Sequence, residues 1–188
     1  MTLFVAGVHA VGKTYLLQPV CEQLGYRHAT ASQLIREQRG QSNWTVSRQV
    51  GSVDENQLAL VAAVDRLRAE GQTLVLDGHF VLRVGVNQHQ VIEMDVFSKL
   101  QLKGVLLLEA PSDVVAERLA HRGDDTWTLD EIARFAEQER AHAQAVCRHL
   151  GVPLVSWTMP TLAQATQALR SMASPASKLR QYEPRQQT

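Results

Sequence analysis

Short apolar runs alternate with amphipathic stretches along this chain. Residues 2–6 read Thr-Leu-Phe-Val-Ala, the continuous apolar pattern of a strand buried on both faces. The same character returns at 73–76, 104–108 and 154–157, and more weakly at 26–29. Helical patterns lie between them: 13–24 closing on Gly25, 31–39, 54–69 closing on Gly71, 94–100, 112–121 entered through Pro111, 129–150 closing on Gly151, and 162–172. Leu58, Val61, Val64 and Leu67 form the expected apolar stripe of the 54–69 helix. Thr30 or Ser32 can cap the 31–39 helix, and Thr128 with Glu131 has capping-box spacing. Pro19 falls inside the first helix, where a kink is expected. A short helix is expected at 44–50, while 80–87 resists assignment. Strands alternating with helices predict an α/β fold of three layers, α/β/α, around a central five-stranded parallel sheet.

At 188 residues the chain reads as one domain over 1–173, followed by a flexible tail rich in Gln, Ser, Pro, Lys and Arg. A hydrophobic content of 45% is enough for a substantial core. Lys plus Arg equals Asp plus Glu, 19 against 19, so no basic field points to nucleic acid. Cys21 and Cys147 lie far apart without metal or redox spacing, and buried free thiols in a reducing compartment are expected. No apolar run approaches membrane-span length, and the first residues lack the charged segment of a secretory signal. A cytoplasmic location is the default expectation. The oligomeric state is left open.

The chemistry concentrates at residues 7–14, Gly-Val-His-Ala-Val-Gly-Lys-Thr, a complete G-x-x-x-x-G-K-[ST] phosphate loop between a strand and a helix. In such a loop successive backbone N–H groups curl around phosphate oxygens and the next helix aims its positive end at them. Gly7, Val8, His9, Ala10, Val11, Gly12, Lys13, Thr14 and Tyr15 are therefore the candidate nucleotide-binding residues. Lys13 is expected to reach the β- and γ-phosphates of ATP, and the Thr14 hydroxyl to ligate Mg²⁺. Asp77 ends another strand, where a carboxylate can hold Mg²⁺ or accept a substrate proton; a solvated Asp-Gly turn is the alternative. His79 either faces substrate or is a plain loop histidine. Arg118 and Arg122 share one helix face and can neutralise transferring phosphate, or simply complete a solvated helix end.

Together these positions resemble the P-loop nucleoside monophosphate kinase family, adenylate kinase in particular. Besides the phosphate loop, Thr30-Ala31-Ser32-Gln33-Leu34-Ile35-Arg36 is similar to the family's opening of the monophosphate-binding region. The stretch from Glu109-Ala110-Pro111 to Arg118 and Arg122 is similar to the approach to its lid. The resemblance implies a P-loop kinase fold with an acceptor-binding insert near 31–70 and a short lid near 119–128. It implies that Arg36 binds the acceptor phosphate, that Arg118 packs on the ATP base, and that Arg122 contacts ATP phosphates. The family's Asp-Gly-Phe-Pro-Arg is here Asp77-Gly78-His79-Phe80-Val81, so its acceptor arginine is missing and Arg83 lies two positions late. Arg134 and Arg140 are candidates for the further lid arginines, and Arg36, Arg39 and Arg48 suit an anionic acceptor or a solvated face. The expected activity is transfer of the ATP γ-phosphoryl to a nucleoside monophosphate, with Lys13, Asp77, Arg118 and Arg122 catalytic and Arg36, His79 and Arg83 binding the small-molecule acceptor. The alternatives are a kinase of another small metabolite and an NTP-binding regulatory NTPase.

Overall fold

The computed structural model describes residues 1–39 and 53–174. The helix expected at 44–50, Arg48 and the tail from 175 onward lie outside the described residues. In chain order the elements are β1 (Thr2–Ala6), α1 (Lys13–Leu24), β2 (Arg27–Thr30), α2 (Ala31–Gln38), α3 (Val53–Ala69), β3 (Leu74–Asp77), β4 (Val81–Gly85), β5 (Gln88–Val91), α4 (Met94–Leu100), β6 (Leu102–Glu109), α5 (Ser112–His121), α6 (Leu129–Leu150), β7 (Leu154–Thr158) and α7 (Leu162–Ala173).

Five parallel strands form one sheet in the order β2-β3-β1-β6-β7. β1 is central, buried along its whole length, and its register pairs Val5 with Asp77 and Ala6 with Leu107. The phosphate loop therefore leaves the sheet between the ends of β3 and β6. Neighbouring residues of a strand point to opposite faces, which fixes the layers. Gly104, in register with Leu3, lies so close to α7 that a Cβ there would meet Met172 Sδ at 2.6 Å. Phe4 points the other way, with its ring 5.1 Å from that of Phe80 and 5.7 Å from that of Phe97 on α4. α1 packs beside α7 on one face, and α6 crosses the other with α4 alongside. This is the expected three-layer architecture.

Helix boundaries follow their caps. Gly25 and Gly151 close α1 and α6 in the left-handed conformation, and Thr30 caps α2 by accepting from the Gln33 N–H. α1 runs unbroken through Pro19. Cys21 and Cys147 are buried free thiols, and burial pushes them up to about 11 and about 12.

Two expectations need correction, and the unassigned stretch takes a defined form. The buried stripe of α3 is Leu60, Ala63, Val64 and Leu67, whereas Leu58 is 63% exposed. The helix turns this face to α2 and α4, which places position 58 outside the contact. Thr128 does accept from the Glu131 N–H, but the Glu131 carboxylate bonds Arg83 instead of returning to the cap. The reciprocal capping box is at Thr161 and Gln164. Residues 81–91 form an antiparallel hairpin, β4-β5, turning at Asn87 with φ 55°. Its strands are short and partly exposed, and the turn lacks an Asn-Gly pair, so the usual signals are weak. As a check on the α3 face, Leu60→Ala should cost about 2–4 kcal/mol and Leu58→Ala under about 0.5 kcal/mol in denaturant unfolding. Equal losses would contradict the assignment.

Candidate active site: a phosphate loop between two cavities

The phosphate loop depends on backbone that only glycine adopts easily. Gly7 has φ 143°, and a Cβ there would run into the Leu108 carbonyl of β6. Gly12, with φ 109°, occupies the N-cap of α1, so the helix N–H groups open toward the loop. Lys13 is 8% exposed and its Nζ donates to the carbonyls of Gly7 at 2.7 Å and Val8 at 3.3 Å. Burial lowers the Lys13 pKa, Asp77 and Glu139 oppose that shift, and Arg122 adds to it.

Asp77, at the end of β3, faces the loop. The Thr14 hydroxyl donates to its Oδ2 at 3.1 Å, and its Oδ1 lies 4.0 Å from Lys13 Nζ. His28 Nε2, on β2, is buried without a hydrogen-bond partner among the described residues and lies 3.9 Å from Asp77 Oδ2. A hydroxyl and a carboxylate held together are hard oxygen donors of the kind that share an Mg²⁺ with substrate phosphates. Among the described residues no cluster of three His, Cys, Asp or Glu forms an all-protein metal cage.

Behind His79 stands a carboxylate that the sequence reading missed. Glu139, 1% exposed on α6, has Oε1 3.0 Å from His79 Nδ1, and its Oε2 accepts from the Phe80 N–H at 2.9 Å. Burial raises the Glu139 pKa to about 7, against hydrogen bonds from the Phe80 and Val81 backbone and the charges of Lys13 and His142. Burial, and then the charge of Lys13, hold His79 well below the usual histidine range. Its ring stacks on His9 of the phosphate loop at 4.2 Å. A signal was present: Glu139 falls on the buried face of α6 with Ile132, Phe135, Ala143 and Val146, where an acid needs a partner.

Two cavities flank the loop. One, about 550 Å³, is lined by Val11, Gly12, Tyr15, Arg118 and Arg122 together with Met159 and suits a nucleotide's base and sugar. The other, about 390 Å³, lies on the far side beside His9, Asp77 and His79. Arg118 donates to the Val11 carbonyl at 2.7 Å, which seats it against the loop. Arg36, half-buried on α2, is not among the described residues lining the second cavity. Arg83 is not among the described residues lining the second cavity. It makes a two-pronged contact with the fully buried Glu131 at 2.8 and 2.9 Å, donates to the Thr126 hydroxyl and carbonyl, and lies 4.0 Å over the Trp127 ring. Hydrogen bonding from Arg83 lowers the Glu131 pKa. The geometry assigns Arg83 to holding the expected lid loop against α6. Arg134 and Arg140, the other lid candidates, bond Asn87 and Glu109 respectively. Trp127 donates to Asp124 and packs 5.5 Å from Phe135, away from the nucleotide cavity.

Comparison with known proteins fits this geometry. A family model described as an AAA domain matches residues 6–140, and the chain belongs to that family. No curated protein sequence matches the chain. Among solved structures, a gluconokinase from Sinorhizobium meliloti 1021 superposes with TM-score 0.55 at 19% identity, over 92% of this chain and 91% of that one. A shikimate kinase from Aquifex aeolicus vf5 gives 0.57 at 13% identity, over 91% and 94%. A shikimate kinase from Acinetobacter baumannii, in complex with shikimate, gives 0.55 at 14% identity, over 91% of each chain. The fold is that of the small P-loop kinases.

The Glu139–His79 pair has a defined pH signature. Between the two unfolded pKa values, about 4.3 for Glu and 6.5 for His, the unfolded pair carries one proton, on the histidine. The folded pair also carries one, because Glu139 is raised and His79 is lowered. The pair therefore adds almost no pH dependence to stability in that window. Glu139→Gln leaves a depressed histidine alone, whose stability contribution is present above pH 6.5 and is lost on acidification. The variant's Tm should fall relative to wild type from pH 6.5 to 4.5; parallel curves would disprove the shared proton.

Proposed function

We propose that the protein is an ATP-dependent phosphotransferase that moves the γ-phosphoryl group to a small molecule held in the cavity beside Asp77. The observation that carries this reading is the Thr14–Asp77 hydrogen bond at 3.1 Å, next to Lys13, with Asp77 lining the second cavity. Phosphoryl transfer asks for positioning and charge neutralisation rather than covalent chemistry. The phosphate-loop N–H groups and Lys13 would grip the triphosphate. Arg118 and Arg122 would offset charge from the nucleotide side, and Asp77 would meet the acceptor. Thr14 and Asp77 would hold Mg²⁺, which would supply positive charge to offset that of the phosphates. The acceptor falls in one of two classes: a nucleoside monophosphate, which the motif resemblance implies, or another small metabolite, as in the gluconokinase and shikimate kinases of similar fold.

Two variants test the reading. Lys13→Ala should lower acceptor-dependent ADP formation by about 10²–10³-fold, the scale of one lost transition-state donor, with the circular-dichroism spectrum unchanged. Wild-type turnover would take the phosphate loop out of the chemistry. Asp77→Asn should raise the Mg²⁺ concentration needed for half-maximal rate; full activity at unchanged Mg²⁺ would refute its role.

A further inference from the structure

Resting on that kinase reading, we propose that the acceptor is an uncharged hydroxyl compound with an apolar body, not a phosphorylated or carboxylated one. The cavity beside Asp77, at about 390 Å³, has the size of a small-molecule site. Its walls are hydrocarbon and ring: Phe4, Leu60, Leu82, Val96, Phe97 and Leu100. Phe4 and Phe97 meet edge to face at 70° and close one wall of the cavity with ring carbon. The hydrogen-bonding side chains that complete the lining include the neutral Thr30, Ser32, Asn56 and Gln57.

The described lining favours a neutral guest over an anion. Asp77 presents a carboxylate to the cavity, and the described lining contains no lysine or arginine. His79 lines it too, with its Nδ1 turned to the buried Glu139 at 3.0 Å. Three described arginines on neighbouring elements are directed to other groups. Arg39 donates to Asn56 Oδ1 at 2.7 Å and to Glu55, Arg66 donates to Gln38, and Arg83 is bound to Glu131. Holding a second phosphate beside a γ-phosphate calls for guanidinium or ammonium partners on the acceptor side. A neutral hydroxyl needs only a proton acceptor, which Asp77 provides. In the transfer the acceptor oxygen forms a bond to the γ-phosphorus and the bond from that phosphorus to the β-phosphate oxygen breaks. ADP leaves with that electron pair, and the hydroxyl proton passes to the Asp77 carboxylate and on to water.

The test uses the full chain with Mg-ATP and two acceptor panels. One holds uncharged hydroxylated ring compounds such as nucleosides; the other holds nucleoside monophosphates, gluconate and shikimate. ADP release and the phosphorus resonance of a new phosphomonoester are followed. A member of the neutral panel should give both signals. Turnover of an anionic member with the neutral panel inert overturns the acceptor class and leaves the kinase reading standing. No acceptor-dependent ADP from either panel removes the kinase reading and this inference with it. Ser32→Arg, at the exposed rim, should raise the KM of a neutral acceptor about tenfold, the scale of a misplaced group in a pocket, and that of ATP much less. An unchanged acceptor KM would remove this cavity as its site.

Discussion

A buried ammonium must be compensated, and much of the site follows from how that is done at Lys13. Its Nζ lies under the loop carbonyls of Gly7 and Val8 and within 4.0 Å of the Asp77 carboxylate. Removing that charge from water is tolerable only with partners so placed. The sheet order supplies them. β1 and β3 are adjacent and parallel, so the loop that leaves one strand faces the acid that ends the other. The left-handed glycines let the loop turn sharply enough to bring its carbonyls over the amine.

The side of the loop that carries His79 is organised by a second set of buried acids on α6. Glu139 fixes the turn after β3 through the Phe80 N–H and His79, while Glu131 gathers Arg83, the Asn87 N–H and, at longer range, His89. Each is a buried carboxylate that would be costly without its donors. Together they tie the β4-β5 hairpin and the loop at 124–128 to one helix. Arg83 illustrates how a position two residues from a family's arginine takes a different task. It completes a structural clasp, and the described lining of the cavity beside Asp77 holds no lysine or arginine.

Much of this was legible in the chain. The strands announced themselves as apolar runs, helix ends as Thr, Gly and Pro signals, and the phosphate loop as a motif in its correct context. What the sequence hid was tertiary. Which face of α3 is inward depends on the directions of α2 and α4, so Leu58 and Leu60 exchanged roles. Glu131 resembled a capping residue because its competitor, Arg83, is distant in sequence. Glu139 was overlooked because an acid on an apolar stripe gains meaning only once His79 is known to face it. The hairpin escaped because its strands carry little apolar alternation.

The most direct test of the central claim is titration calorimetry of the protein with a non-hydrolysable ATP analogue and Mg²⁺ at two temperatures. The phosphate loop as described predicts one site per chain, with affinity lost when Mg²⁺ is chelated. No binding heat at either temperature would contradict the assignment of residues 7–14 as a triphosphate cradle.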